Sequence, residues 1–195
     1  MMLITESSYD LELYEDEKDK SLKIVGIFSS ANIENNNKRK YKKDLLEREI
    51  TKVNEKIKAK CLFGELSHPS NPEINPERIS HIVESLEWKN DHVYGKAKIL
   101  STPFGDIAKT LIKEGNIGIS SRGLGTVNEE GFVNEDFNLI TYDIVLDASN
   151  PGSKFVNGIL ENENFGPERL PTMEEAKEIY KKHLWQVVAT IEKSM

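Results

Sequence analysis

The sequence predicts an α+β fold, an antiparallel sheet or barrel of about six strands with flanking helices. Two observations predict it. Short β-branched runs bounded by turn-forming residues recur along the chain, and other segments repeat apolar residues at helical spacing. The strand-like runs follow one another as hairpins instead of alternating strictly with helices, which favours an antiparallel sheet. At 195 residues the chain is long enough to bury one core of ordinary size.

The first half of the chain predicts a strand, a helix and a second strand. The β-branched stretch SLKIVGIFSS at 21–30 predicts the first strand, and the polar run ENNNKRKY predicts an exposed loop after it. Apolar residues at three- and four-residue intervals predict an amphipathic helix over 41–58. The segment KAKCLFGEL, residues 58–66, then has the composition of a strand.

The next segments predict a hairpin and a helix. Apolar residues alternate on both sides of the turn-forming KND within 79–100, which predicts the hairpin. A helical face containing Ile107, Leu111 and Ile112 follows. This helix is expected to end at Gly115, because glycine is a common helix terminator.

The last segments predict further strands and a C-terminal helix. Strand-like composition returns at 117–121 and at 137–147, where turn-forming residues end it. Thr172 with Glu175 three residues later matches a capping box, and apolar residues at helical spacing follow.

The expected organisation has three parts. Residues 1–20 are acidic and low in large apolar side chains, which predicts a loosely ordered N-terminal segment. Residues 21–160 hold the strands and helices of the main domain. Residues 161–195 are expected to form an acidic linker followed by the C-terminal helix.

Composition excludes several classes of protein. No run approaches the ~20 apolar residues that span a bilayer, so no membrane association is expected. The net charge of -7 opposes binding to phosphate backbones, so nucleic acid is not an expected partner. The start lacks a secretory signal, which predicts a chain that stays inside the cell. Cys61 is the single cysteine, which excludes an internal disulfide, and a buried structural thiol is expected.

His68 lies in the stretch LSHP, where the following proline disfavours helical backbone. It is therefore expected on an extended segment or turn, either as a solvent-facing side chain or as a catalytic base. The spacing Glu65-x-x-His68 binds metal when it lies on a helix and occurs twice, so no metal or other cofactor is expected. His81 and His92 in the predicted hairpin and His183 in the last helix are weaker candidates.

Ser120 and Ser121 lie in the stretch GISSRGLG, residues 118–125. Glycines permit tight turns whose amides point at one spot, as an oxyanion beside a nucleophile requires. The residue two beyond Ser120 is Arg122, so the stretch is not the G-x-S-x-G elbow of hydrolases. From the residues alone, either serine is a candidate nucleophile, and an ordinary turn is the alternative.

A serine nucleophile needs a histidine base, and that base works best when a carboxylate orients it. The stretch TYDIVLD offers Asp143 and Asp147, which share one face of a predicted strand. Asp143 is flanked by apolar side chains, where an ionised carboxylate requires a partner. Asp147 adjoins the turn-forming ASNPG and has an ordinary role there. Asp143 is the favoured third member and Asp147 the alternative.

Five stretches occur in an order that resembles the prohead core protein proteases of contractile-tailed phages, a family of capsid-maturation serine proteases related in fold to the herpesvirus assemblin. They are NNNKRKY, LFGELSHPSNPEI, WKNDHVYGKAKIL, GISSRGLG and YDIVLDASNPGSKFVNGI. The resemblance covers roughly residues 22–160, and GELSHP followed by SSRGLG is its most specific part. It implies an assemblin-like fold and a serine endopeptidase.

The resemblance also implies which residues carry the chemistry. The general base of the Gly-Glu-Leu-x-His-Pro motif falls on His68, and the nucleophile, the first serine of Ser-Ser-Arg-Gly-Leu-Gly, falls on Ser120. The acidic third member falls on Asp143. Ser121 stays an alternative, because neighbouring strand residues point to opposite faces.

The implied mechanism is acyl transfer to a serine. The hydroxyl attacks a peptide carbonyl while the histidine takes its proton, and water later hydrolyses the acyl-enzyme. Amides of the turn after the nucleophile, at Arg122 and Gly123, are the expected oxyanion donors.

The expected substrates also follow from the resemblance. They are the phage scaffolding core and major capsid proteins, cut after a glutamate two residues beyond Leu or Ile, inside the assembling prohead in the host cytoplasm. The chain contains such triplets, ITE, LYE and ILE, and the last predicts self-cleavage after Glu161. A homo-oligomer is expected. The alternatives are a non-catalytic assembly or scaffold component with the same fold, and a metal-dependent enzyme that uses His68.

Overall fold

The computed structural model describes residues 2–7, 11–35, 37–69, 71–114 and 117–146, which form eight strands and two helices. The strands are β1 (Met2–Ser7), β2 (Leu11–Glu15), β3 (Leu22–Ser30), β4 (Phe63–Glu65), β5 (Ile79–Lys89), β6 (His92–Ile99), β7 (Gly118–Gly125) and β8 (Asn138–Val145). The helices are α1 (Lys43–Lys58) and α2 (Pro103–Glu114), and Pro76–Arg78 form a short 3-10 turn.

The strands form two antiparallel sheets that meet at one seam. Five strands lie in the order β2-β3-β6-β5-β4, and three lie in the order β1-β7-β8. At the seam between β4 and β8, a parallel bridge joins Leu66 to Ile144, and the Ser67 amide donates to the Ile144 carbonyl at 2.6 Å. The α+β prediction, with an antiparallel sheet and flanking helices, is confirmed.

The core includes a contact between β3 of the larger sheet and β8 of the smaller one. The rings of Phe28 and Tyr142 have centroids 5.2 Å apart, and Ser29 Oγ lies 2.9 Å from the Tyr142 hydroxyl. Ile119 of β7 and Ile144 of β8 are fully buried. One face of the β7–β8 pair is thus packed against the five-stranded sheet.

Helix α1 packs against β5 and β8 with the apolar stripe that its spacing predicts. Its buried apolar residues are Leu45, Leu46, Ile50 and Val53. The same face buries Glu49, whose carboxylate accepts from the Leu139 amide at 2.9 Å, from Lys52 at 2.7 Å and from Arg48 at 2.9 Å. Burial alone would raise the pKa of Glu49, but these donors hold it below its usual range.

The hairpin and the second helix largely agree with the prediction. Strands β5 and β6 pair antiparallel, and Asn90 has a φ of 57° in the turn between them. Helix α2 packs on the same two strands and buries Gly105, Ala108 and Ile112. Ile107 is 48% exposed, so the buried face of the helix differs from the predicted face.

The N-terminal segment differs from the prediction. The structure has strands β1 and β2 where the composition predicts loosely ordered chain over 1–20. Strand β2 pairs with β3 and buries Leu11 and Leu13, while Glu12 between them is exposed. Although this segment is acidic, apolar and polar residues alternate along β2. That alternation is enough to form an edge strand.

Cys61 is exposed, so the expected buried thiol is wrong. The residue lies between the end of α1 and the start of β4, and its Sγ donates to the carbonyl of Lys56 at 3.4 Å. Strand β4 begins at Phe63, so Cys61 lies before it.

Two of the predictions lie outside the described residues. The acidic linker and C-terminal helix over 161–195 therefore stay predictions, as does any role of Asp147. Within the described ranges, no helix is both long and apolar enough to cross a membrane.

Candidate active site

Gly64 allows β4 to lie close to β8. A Cβ at this position would lie 2.0 Å from the carbonyl oxygen of Tyr142 and 2.4 Å from the ring of His81. Any side chain would therefore push the two strands apart, which explains a glycine inside a strand. This close approach brings the segment after β4, with its histidine, alongside β8.

His68 lies outside any helix, as the following proline predicts. Its Nδ1 is 2.9 Å from Oδ2 of Asp143, a fully buried carboxylate of β8. Because a carboxylate only accepts hydrogen bonds, Nδ1 is the donor, and in the neutral imidazole the lone pair then lies on Nε2. Nε2 is buried, and no described residue hydrogen-bonds to it. The imidazole is thus oriented at one nitrogen and available at the other.

Ser120 lies on the same face of the sheet as Asp143. In the antiparallel β7–β8 ladder, Ser120 is opposite Asp143, and Ser121 is opposite Tyr142. Side chains of directly opposed residues project to one face, with Cβ atoms about 5 Å apart. Ser121 therefore lies on the side that packs against β3, with Tyr142. The structure gathers His68, Asp143 and Ser120 and leaves Ser121 on the other face.

The predicted glycine turn around the serines is wrong. Residues 118–125 form strand β7, which is paired with β1 on one side and β8 on the other. Gly123 serves close packing instead, since a Cβ there would lie 2.5 Å from the ring of Phe137. The register with β8 shifts opposite Arg122 and Gly123 because Ile140 of β8 is skipped, while both oxyanion candidates keep their register with β1.

The Asp143 carboxylate forms a buried ion pair that the sequence analysis does not predict. Arg122 Nη2 donates to Oδ1 at 3.1 Å, and its Nε lies 2.8 Å from Oδ2 without the alignment of a hydrogen bond. The amide of Glu65 also donates to Oδ1, at 3.0 Å. Both charged side chains are fully buried, and such burial is tolerated only when the charges are paired.

The Glu65 carboxylate belongs to the same group of charges. It accepts from Arg122 Nη2 at 3.3 Å, from Arg78 Nε at 3.2 Å and from the Asn75 amide at 2.8 Å. Its oxygens are therefore committed to cations and an amide. Within the described part of the chain, no three His, Cys, Asp or Glu side chains cluster as metal ligands do.

A second histidine, His81 of β5, contacts β8 in another way. Its Nε2 lies 3.1 Å from the Tyr142 carbonyl oxygen, and its Nδ1 lies 2.9 Å from Ser80 Oγ. Burial lowers the pKa of His81 to about 4, although the charge of Asp143 acts in the opposite direction. The ring is neutral at neutral pH and both nitrogens are bonded, which indicates a structural role.

His92 is also engaged away from the candidate triad. Its Nδ1 lies 2.8 Å from the Oγ of Ser30 on the neighbouring strand. His183 lies outside the described residues. Among the described residues, Asp143 therefore has an imidazole with an available nitrogen as its hydrogen-bond partner and a serine as its cross-strand neighbour. These are the kinds of group that nucleophilic catalysis by serine requires.

Comparison with known proteins identifies the family of the chain. Residues 5–164 match the family model of the prohead core protein serine protease. The chain belongs to this family. A relative, the prohead core protein protease of Enterobacteria phage T4, is 39% identical over 149 residues, which cover 70% of this chain and 70% of that protein.

The family includes a solved structure that resembles this one. The structure of the bacteriophage T4 capsid assembly protease has a TM-score of 0.68 and 31% sequence identity, and the match covers 74% of this chain and 97% of that chain. Membership confirms that this prohead protease is a serine protease, and the structural match confirms its fold.

The sequence alone does not predict the contacts of two side chains near Asp143, those of Arg122 and Glu65. A signal for the first exists. Arg122 and Asp143 are opposite charges in apolar, strand-like runs, and each needs a buried partner. Glu65 gives a weaker signal, because its contacts depend on how β4 joins β8.

Proposed function

We propose that this prohead protease cleaves peptide bonds with Ser120 as nucleophile, His68 as general base and Asp143 as the residue that orients the base. One observation carries the proposal. The His68 ring is held at Nδ1 by Asp143 and unbound by described residues at Nε2, on the sheet face that Ser120 shares. The register favours Ser120 over Ser121, which the residues alone leave open.

The reaction follows from these positions. Ser120 Oγ attacks the carbonyl carbon of the scissile bond, and its proton passes to His68 Nε2 and then to the leaving amine. Asp143 stabilises the imidazolium that forms between these transfers. Water then attacks the acyl-enzyme, again with Nε2 as base, and releases Ser120.

Backbone amides at Arg122 and Gly123 are the proposed donors to the oxyanion. Amides inside a regular ladder are bonded to neighbouring strands, whereas a bulge interrupts this pairing. The skipped Ile140 of β8 makes the pairing irregular beside these two residues, and this irregularity supports the choice of their amides as donors to a developing negative charge.

The proposed substrates are the scaffolding core and major capsid proteins of the prohead, and the chain itself after Glu161. The names of the T4 relatives, a prohead core protein protease and a capsid assembly protease, support this class of substrate. The enzyme then acts as a homo-oligomer inside the assembling prohead, in the host cytoplasm. Cleavage is expected after glutamate two residues beyond Leu or Ile.

The test compares two buried serines that are neighbours on one strand. Each of Ser120→Ala and Ser121→Ala is co-expressed with the phage's scaffolding core protein, and products are identified by mass spectrometry. Loss of a nucleophile lowers activity by about 10³-fold or more, so Ser120→Ala should leave the scaffold intact. Ser121→Ala should cleave at a rate within about threefold of the wild type, since it removes no reacting group. Full activity in Ser120→Ala with loss in Ser121→Ala would assign the nucleophile to Ser121.

The same spectra test self-cleavage. Wild-type protein should lose the residues after Glu161, and Ser120→Ala protein should keep them. A fluorescence-quenched peptide with residues 157–166, NGILENENFG, provides the kinetic assay. An intact C-terminus in wild-type protein that cleaves the scaffold would contradict self-cleavage and leave the triad standing.

A further inference from the structure

Arg122 and Glu65 lie at the centre of a buried group of charges. This group contacts the Asp143 carboxylate and the backbone on both sides of His68. The side chains of Glu65, Arg122 and Asp143 are fully buried, and that of Arg78 is 35% exposed. Two carboxylates face two guanidinium groups, so the formal charges balance while His68 is neutral.

The first end of this network fixes the Asp143 carboxylate. Oδ1 accepts from the Glu65 amide and from Arg122 Nη2. Oδ2 faces His68 Nδ1 at 2.9 Å and Arg122 Nε at 2.8 Å. Because both oxygens are engaged from two directions, the carboxylate has a single orientation toward the imidazole.

The second end fixes the backbone on both sides of His68. Arg78 Nη2 donates to the Leu66 carbonyl at 3.0 Å, before the histidine. After the histidine, Arg122 Nη1 donates to the Asn71 carbonyl at 3.1 Å, and the Glu65 carboxylate accepts from the Asn75 amide at 2.8 Å. The network that orients the acid thus also holds the chain that carries the base.

We propose that Arg122 and Glu65 are positioning residues that keep His68 and Asp143 aligned for proton transfer. This inference rests on the proposed triad. Neither side chain touches the scissile bond in this scheme. Their removal therefore lowers kcat and leaves KM nearly unchanged, because a displacement of about 1 Å at a reacting group costs on the order of 10²-fold in rate.

The first test substitutes one charge at a time and follows cleavage of a quenched peptide, either the 157–166 peptide or, if Glu161 is not cut, a peptide that spans a site mapped in the scaffolding core protein. Arg122→Gln should lower kcat by about 10²-fold, and Glu65→Gln by about tenfold, with KM within about twofold of the wild type. The matched control is Glu49→Gln, another fully buried carboxylate that accepts from two cations and one amide. The control should lower the melting temperature yet keep kcat per folded molecule within about twofold.

A double variant shows whether Arg122 acts through Asp143. Asp143→Asn alone should lower kcat strongly, and addition of Arg122→Gln should then cost less than about threefold more, since the group it positions has already lost its function. Independent action would instead multiply the two losses.

Arg122→Lys keeps the charge and serves as the variant that folds most readily. One ammonium group cannot reach the carboxylates and the Asn71 carbonyl as the planar guanidinium does, so kcat should fall by about tenfold. If Arg122→Gln does not fold, Arg122→Lys and Glu65→Gln decide the question. Wild-type kcat in both variants would overturn the proposal, and so would fully multiplicative losses with Asp143→Asn.

The triad and the positioning role fail in different ways. An active Ser120→Ala variant would overturn the proposed nucleophile whatever the Arg122 variants do. An inactive Ser120→Ala variant beside fully active Arg122→Lys and Glu65→Gln variants would overturn the positioning role alone.

Discussion

Two histidines contact β8 at neighbouring residues, and their ring nitrogens are used differently. His81 lies against the carbonyl of Tyr142, and both of its nitrogens have partners in Tyr142 and Ser80. His68 lies against the side chain of Asp143, and only its Nδ1 has a partner among the described residues. Burial keeps His81 neutral by lowering its pKa to about 4.

The difference separates a structural histidine from a candidate catalytic one. Buried polar atoms are normally hydrogen-bonded, so a buried nitrogen without a partner calls for a reason. At His68 the proposed role of Nε2 as the general base is such a reason. Both ring nitrogens of His81 already have hydrogen-bond partners, and the ring instead joins β5 to β8 beside Gly64.

The largest expected effect comes from substitution of the two histidines in turn. His68→Gln should lower kcat for the 157–166 peptide by about 10³-fold or more, because the general base is lost. Its melting temperature should stay close to that of the wild type, since the ring is partly exposed and leaves few contacts.

His81→Gln is the matched variant and should show the reverse. Its free energy of unfolding should fall by about 2 kcal/mol because buried partners lose their hydrogen bonds. Its kcat per folded molecule should stay within about threefold of the wild type. Equal losses of activity in the two variants would contradict the assignment of a catalytic role to His68 and a structural role to His81.

The candidate site could be predicted where a residue's own surroundings demand a partner. Asp143 stands out because an ionised carboxylate in an apolar strand is costly. His68 stands out because its proline excludes the helical metal motif. Both arguments are local and need no knowledge of the register. The structure brings these two side chains together as expected.

The remaining features depend on which strands meet. The glycines are ambiguous in the sequence, because glycine serves both turns and close packing, and Gly64 and Gly123 prove to serve the second. Likewise, the choice between Ser120 and Ser121 depends on the pairing of β7 with β8, and the partners of Glu65 depend on the seam with β4. Such long-range pairing leaves no periodic signal in the chain.

A further expected effect concerns the pH dependence of stability. The pKa of His81 is about 4 in the folded protein and about 6.5 in the unfolded chain, so the unfolded state takes up a proton first as the pH falls. Above pH ~6.5 this proton uptake does not affect stability. Below it, the free energy of unfolding should fall by about 3 kcal/mol as the pH drops to about 4. Urea unfolding at several pH values in this window measures the decline.

His81→Gln is the control for this titration. Carboxylates titrate in the same window in both proteins, so the difference between the two curves isolates the histidine. The variant should show the smaller decline, so the advantage of the wild type at neutral pH should disappear and then reverse as the pH approaches 4. Parallel curves would contradict a neutral, buried His81.

The smallest expected effect tests whether the two faces of β8 are independent. Tyr142 projects to the face opposite Asp143, and burial raises the pKa of its hydroxyl, which therefore stays neutral and bonds to Ser29. Tyr142→Phe should lower the free energy of unfolding by about 1 kcal/mol, because the part-exposed Ser29 hydroxyl can bond to water instead. Ser29→Ala should cost more, about 2 kcal/mol, because it strands a fully buried phenol. Both variants should keep kcat within about twofold of the wild type. A larger loss of kcat in Tyr142→Phe would mean that packing on one face of the strand sets the position of Asp143 on the other.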